Sequence, residues 1–353
     1  MEINLLEIFK NAAEKKASDI FIVAGLPLSM KVKGEIIALT LEKLMPNDTD
    51  KIVKEIYDIA KNPNYEKFLE TGDADFSMPV DNIGRFRVNT YRQRGSLAAV
   101  LRLIAFGLPD PDMLGIPPAV IELHKHTKGL ILVTGPTGSG KSTTLACVVD
   151  AINKNRKGHI MTLEDPIEFI HRHQQSIVSQ REVPSDTLSY LQALRAVLRQ
   201  SPDVIQIGEM RDIDTISIAL TAAETGHLVL STLHTSSAAA TIDRIVDIFP
   251  PQAQHQVRLQ LSMTLVAVVS QILVPTVDKG LAAAFEIMIG TTAIANMIRE
   301  NKLNQINSVI HTSGDVGMQT MDSSLISLVK KGVITKDTAM LYSANPEIIT
   351  RMF

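Results

Sequence analysis

Tryptophan is absent from this sequence, aromatic residues make up only 4% of it, and there is one cysteine, Cys147. A lone thiol excludes an internal disulfide and an all-cysteine zinc site, and it fits a reducing compartment. So few aromatics argue against a stacking surface for single-stranded nucleic acid. A formal net charge of −3 argues against a general polyanion binder, which would carry excess Lys and Arg. The opening stretch, MEINLLEIFKNAAEKK, places acids where a secretory leader places bases. The longest apolar run, Leu265–Leu273, is interrupted by Ser270 and Gln271 and falls short of the ~20 residues a spanning helix needs. These absences predict a soluble, cytoplasmic chain whose membrane contact passes only through a partner. The remainder is globular material, 45% hydrophobic and 21% charged over 353 residues. That excludes disordered, collagen-like and low-complexity chains and, at ~150 residues per domain, predicts two domains.

The first segment mixes short patterns. Leu5, Ile8, Phe9, Ala12 and Ala13 recur at helical spacing, and Asp19–Ala24 and Ser29–Val32 read as strands split by Gly25 and Pro27. Residues 47–70 read as one helical stretch with Ile52, Ile56 and Ile59 on a face. Between Asn82 and Pro109 stand five arginines (Arg85, Arg87, Arg92, Arg94 and Arg102) without a lysine or an acid. Arg85 and Arg87 alternate with Phe86 and Val88, which is strand spacing with one apolar and one guanidinium face, and Leu97–Ile104 reads as the return strand of a hairpin. Arginine's planar fork suits phosphate or carboxylate; a solvated sheet face is the plainer alternative. The proline-rich stretch Phe106–Pro118 is the candidate linker.

Beyond it, apolar strands alternate with helices: Gly129–Thr134, His159–Leu163, Val204–Ile207 and Leu228–Leu233 as strands, with helices at Ser142–Lys154, Thr187–Gln200 and Ile213–Glu224. Such a pattern predicts a parallel sheet covered on both faces, with its ligand at the carboxyl ends of the strands. From about Pro275 the chain reads mostly as helix and loop.

Gly135, Pro136, Thr137, Gly138, Ser139, Gly140, Lys141 and Ser142, followed by Thr143, spell GxxxxGK[ST] between an apolar strand and an amphipathic helix. Backbone N–H groups of such a loop wrap a polyphosphate, the helix N-terminus adds its dipole, and Lys141 neutralises the outer phosphates. The Ser142 hydroxyl suits Mg²⁺. Glu164, Glu209 and His234 each end a strand on the same sheet. Two such acids read as a site for metal and water, although either alone could be a helix cap. His227, seven residues before His234, points to the opposite face and reads equally well as a core histidine. His124 and His126, and His171 and His173, fit no ligand spacing and are expected on the surface. No guanine-specifying NKxD is present: Asn153-Lys154 is followed by Asn155-Arg156.

GPTGSGKS, TLEDPIEF (Thr162–Phe169), QREV (Gln180–Val183), ALRAVLRQSPDV (Ala193–Val204), GEMRD (Gly208–Asp212) and TAAETGHLVLSTLHTSSA (Thr221–Ala238) resemble the secretion ATPase superfamily. With the tail FEIMIGTTAI…GMQTMD, the chain is similar more particularly to the PilT-type retraction ATPases of type IV pili. The resemblance implies an α/β chain with a small α+β PAS-like domain over residues 1–105, the linker 106–118, and a RecA-like ATPase domain over 119–353 with a helical tail from about 275. It implies a homohexameric motor that hydrolyses ATP with Mg²⁺ at the cytoplasmic face of the inner membrane, acts on a pilus platform protein and binds no nucleic acid. Glu164 matches the general base. Glu209 matches the acid of an atypical Walker B strand, supporting Mg²⁺ partly through water, and His234 matches the His box. Arg85, Arg87, Arg92, Arg94 and Arg102 are candidates to reach the nucleotide phosphates. Ala295 stands where the family's tail has an arginine, and Gly280-Leu281 replaces a Gly-Arg pair. A pilus-extension or type II secretion ATPase is the alternative within the superfamily, although those relatives commonly carry a four-cysteine zinc site. A RecA-like nucleic-acid translocase is the alternative outside it.

Overall fold

The computed structural model describes residues 3–32, 34–104 and 107–353. Met1 and Glu2 of the acidic opening stretch, Ala105 at the end of the first expected domain and Phe106 at the start of the expected linker lie outside the described residues. The chain divides into two compact units, Met1–Gly107 with Glu168–Ile170, and Leu108–Ile167 with His171–Phe353.

The first unit starts with a helix over Leu5–Glu14, whose first turn is capped by Asn4 accepting the Glu7 N–H at 3.3 Å. Six strands follow, β1 (Asp19–Ile22), β2 (Pro27–Val32), β3 (Glu35–Lys43), β4 (Asp73–Val80), β5 (Gly84–Gln93) and β6 (Ser96–Ile104). They form one antiparallel sheet in the order β3-β2-β1-β6-β5-β4. Leu5, Phe9, Ile52, Ile56, Tyr57 and Phe68 from the helices pack with Ile20, Met30, Phe86 and Val88 of the sheet. Each such buried side chain stabilises the unit by about 1.5–3 kcal/mol. The expected single helix over 47–70 is two, Pro46–Ala60 and Tyr65–Thr71, because Lys61 turns into the left-handed region at φ 51°. The first strand stops at Ile22, before the turn that contains Gly25, and the second begins already at Pro27.

The second unit holds β7 (Gly129–Thr134), β8 (His159–Glu164), β9 (Ile177–Glu182), β10 (Val204–Ile207), β11 (Leu228–Leu233), β12 (Leu265–Pro275) and β13 (Leu281–Ile289). Their order is β13-β12-β7-β11-β10-β8-β9, all parallel except the edge strand β13. Alternate residues of β7 serve two cores. Ile131 and Val133 meet Leu145, Val148, Val149 and Ile152 of the helix Lys141–Asn155, whereas Leu130 and Leu132 share a core with Ala193, Ile216 and Ile242 of helices on the other face. Burial on both faces explains the uninterrupted apolar strands. This is the doubly covered parallel sheet expected of a RecA-like unit, beside the antiparallel α+β layout expected of a PAS-like one.

Three further expectations need correction. The tail from Pro275 is not only helix and loop: β12 runs on to Pro275 and pairs with β13 over Ala267–Pro275. The helix expected over 187–200 is confined to Tyr190–Val197, because Ser189 takes the N-cap position and accepts the Gln192 N–H. His171 is not a surface residue. It is buried, and burial lowers its pKa from 6.5 to about 4 although Asp150 pulls the other way. Among the described residues, no helix is long and apolar enough to cross a membrane.

Candidate active site

The loop after β7 takes its shape from a neighbouring strand. Thr134 at the end of β7 shares a hydrogen bond of 2.9 Å with Ser270 on β12. The next residue along β12, Gln271, is buried and accepts the Thr144 hydroxyl at 2.7 Å, tying the following helix to the same strand. Gly135 lies so close to this wall that a Cβ there would stand 2.1 Å from the Gln271 carbonyl oxygen. Gly138, at φ 79°, has open space around it. Within the loop, the Lys141 ammonium donates to the carbonyls of Gly135 and Pro136, each at 2.9 Å. Ser139 Oγ is buried, has no hydrogen-bond partner among the described residues and lies 2.7 Å from where a Cβ on Gly135 would stand; a spare donor in a loop of backbone amides suits phosphate oxygens. Ser142 and Thr143 open the helix behind it.

Three strand ends converge beside the loop. Gly208 N–H donates to Leu163 O at 2.7 Å, and Thr232 Oγ1 donates to Gly208 O at 2.6 Å, which aligns the carboxyl ends of β8, β10 and β11. Glu164 closes β8 as a buried carboxylate and accepts from Thr162 Oγ1 at 2.6 Å and Gln180 Nε2 at 3.1 Å. The loop after it is braced by Glu182, which accepts the Ile167 N–H at 2.9 Å. Glu209, just after β10, pairs with Arg211 at 2.8 Å and with His234 at 3.3 Å. Burial acts to raise the Glu209 pKa, but the Arg211 hydrogen bond and the His234 and Arg211 charges outweigh it and hold the carboxyl below its ordinary value. The sequence-predicted trio thus divides: Glu209 and His234 touch, while Glu164 stands in its own hydrogen-bonded setting. Among the described residues, no group of three or more His, Cys, Asp or Glu could hold a metal by itself. A hard cation here could take Ser142, phosphate oxygens and water, with Glu209 behind the water, the mixed shell that Mg²⁺ favours.

His227 is hydrogen-bonded but only half-buried, outside the core, with its ring Nδ1 3.0 Å from the Ala222 carbonyl. In the first unit, β5 alternates as expected, Phe86 and Val88 buried and Arg85 and Arg87 half-buried on the other face. The guanidiniums do find acids, from other strands. Arg87 pairs with Asp75 of β4 at 3.0 Å and Arg102 with Asp19 of β1 at 2.9 Å, while Arg92 donates to Leu69 O at 2.9 Å. Arg94 and Gly95 form the hairpin turn with positive φ at both positions. Among the described residues, the exposed Arg94 side chain has no hydrogen-bond or ion-pair partner.

Sequence reasoning missed Gln271, Thr162, Gln180, Arg211, Tyr190 and Glu286. The Tyr190 hydroxyl lies against Gly208, where an added Cβ would meet it at 2.6 Å. Its pKa is raised by burial first, then by Asp165, Glu164 and Glu209, with Arg211 opposing. Glu286 on β13 accepts the Ala238 N–H at 2.8 Å, fixing the loop that follows His234. Gln271 left a trace as the polar break in the longest apolar run, while Thr162, Gln180, Arg211 and Glu286 stand inside motifs of the resemblance without a role of their own.

Comparison with known proteins bears on the chain as a whole. The family model described as type II/IV secretion system protein matches residues 1–333. The type IV pilus retractation ATPase PilT of Pseudomonas aeruginosa is 46% identical over 345 residues, 98% of this chain and 99% of that protein. A twitching motility protein of Neisseria gonorrhoeae is 43% identical over 345 residues, covering 98% and 91% of the two chains. Among solved structures, a crystal structure of the pilus retraction motor PilT with bound ADP superposes with a TM-score of 0.91 at 48% identity, over 99% of this chain and 100% of that one. With a phosphate loop, two strand-end acids and a match over nearly its whole length, the chain belongs to the type II/IV secretion system protein family.

Proposed function

We propose that this chain is an ATP hydrolase of the pilus-retraction kind: a homohexameric, cytoplasmic motor at the inner membrane that turns over ATP with Mg²⁺ and acts on a membrane platform protein. The observation that carries this reading is the pairing of a moulded phosphate loop with Glu164 and Glu209 at adjacent strand ends, in a chain collinear with retraction ATPases. The first unit is read as the PAS-like domain that supplies arginines, and the second as the motor domain.

The geometry supports the following roles. Loop amides and Lys141 bind the β and γ phosphates, and binding takes the lysine away from the Gly135 and Pro136 carbonyls. Ser142 would hold Mg²⁺, with Glu209 supporting its water shell; the ion supplies charge neutralisation on the phosphate oxygens. Glu164 orients the attacking water and takes its proton. His234, tied to Glu209, reports on the third strand end, so a shift at that end reaches the carboxylate directly. Arginines of the β5–β6 hairpin stabilise the equatorial oxygens in the transition state. An extension or secretion ATPase with a four-cysteine zinc site is disfavoured by the lone Cys147.

The test is Glu164→Gln. Binding of magnesium ATP should persist while hydrolysis falls by roughly 10²–10⁴; loss of binding would instead make Glu164 a structural residue. Sedimentation in magnesium nucleotide should give a particle of six copies, and a persistent monomer would contradict the ring.

A further inference from the structure

Two side chains that the family reading leaves without a role hold Glu164. Thr162 lies two residues earlier on β8 and so shares a face with Glu164, and Gln180 is its register partner on β9. Both donate to the same oxygen of the carboxylate, Oε1, at 2.6 Å from the Thr162 hydroxyl and 3.1 Å from the Gln180 amide. The amide has its own anchor: Gln180 Oε1 accepts the His171 backbone N–H at 2.8 Å. An amide whose oxygen is engaged by a backbone donor must present its NH₂ to the carboxylate. Thr162 is fully buried and Glu164 nearly so. Charge-assisted bonds of this kind in a dry setting are short and directional, and together they fix which oxygen is held and the plane in which the carboxylate lies.

We propose that Gln180 and Thr162 are positioning residues for hydrolysis, locking the Glu164 carboxylate in the orientation that activates water. The inference rests on the reading of Glu164 as general base. One further glutamine supplies a control. Gln206 on β10 is Thr162's partner on its other side and is buried, but its Oε1 makes no hydrogen bond.

The experiment compares Gln180→Met, Thr162→Val, Thr162→Ser, Gln206→Met and Glu164→Gln in the full chain, by steady-state ATP hydrolysis and by binding of a fluorescent ATP analogue with magnesium. Gln180→Met and Thr162→Val should each lower kcat about tenfold, the worth of a hydrogen bond to a charged group. KM and analogue affinity should stay within about twofold, because the lost bond acts on the chemical step and not on ground-state binding. Thr162→Ser keeps the hydroxyl and should restore kcat, and Gln206→Met should leave it unchanged. The proposal is overturned if Gln180→Met and Thr162→Val retain wild-type kcat. It is also overturned if their effect lies in KM alone, or if Thr162→Ser is as impaired as Thr162→Val. Should Gln180→Met fail to fold, the two Thr162 variants decide. Undiminished hydrolysis in Glu164→Gln would be a different failure, removing the general-base reading itself.

Discussion

An alanine at Gly135 tests whether the phosphate loop is shaped by β12. Its methyl carbon would stand 2.1 Å from the Gln271 carbonyl oxygen and 2.7 Å from Ser139 Oγ, where a carbon–oxygen contact needs about 3.3 Å. Ser139 can rotate away. The Gln271 carbonyl cannot, because β12 is paired with β7 on one side and β13 on the other. The loop must therefore retreat by about 1 Å, a displacement that near reacting groups costs on the order of 10²-fold in rate. Gly138 provides the comparison. At φ 79° with nothing within 4 Å, an alanine there meets only left-handed backbone strain of about 1–3 kcal/mol. ATP turnover of the two variants, with circular dichroism to verify folding, should show Gly135→Ala nearly inactive and Gly138→Ala less impaired. Near wild-type turnover in Gly135→Ala would refute the argument, and equal losses in both would place the cause outside the β12 wall.

Single alanine replacements of Arg85, Arg87, Arg92, Arg94 and Arg102 should identify at least one whose loss lowers turnover by roughly 10³, the worth of a phosphate-directed arginine. Melting temperatures should barely move for Arg87→Ala, whose exposed pair with Asp75 contributes at most about 1 kcal/mol, but should drop for Arg102→Ala, which takes the ion-pair partner from the buried Asp19 carboxylate; five neutral turnover results would reduce the cluster to a solvated face. His171 makes folding pH-dependent. Above pH 6.5 it is neutral whether folded or not, but between 6.5 and about 4 only the unfolded chain binds the proton. Stability should therefore fall with pH through that window, by about 3 kcal/mol for this group. Urea midpoints at pH 7 and 4.5 should differ less in His171→Leu than in the wild type; an equal difference would contradict the buried neutral imidazole.

The second unit was legible wherever a strand is buried on both faces. β7, β10, β11 and the helix Ile213–Glu224 have the expected bounds because their apolar runs are what a covered parallel sheet requires. β9 was not legible, since IVSQRE has only two apolar residues and one of them, Ile177, is exposed. β13 opens Leu-Ala-Ala-Ala, residues that suit a helix as well as a strand, and only its pairing with β12 decides. Among site residues, the phosphate loop and the strand-end acids announce themselves by local spacing. The acids that meet Arg87 and Arg102, and the burial of His171, depend on strands and helices distant in sequence, so local pattern holds no record of them.

The attachment of the phosphate loop to β12 also limits how this protein can be cut. The bonds that mould the loop join residues 127 and 136 positions apart, Thr144 to Gln271 and Thr134 to Ser270. A fragment ending soon after His234 would hold every recognisable nucleotide motif and yet lack the surface on which that loop is cast. For this chain the smallest competent catalyst extends past the final signature, to the strands that follow it.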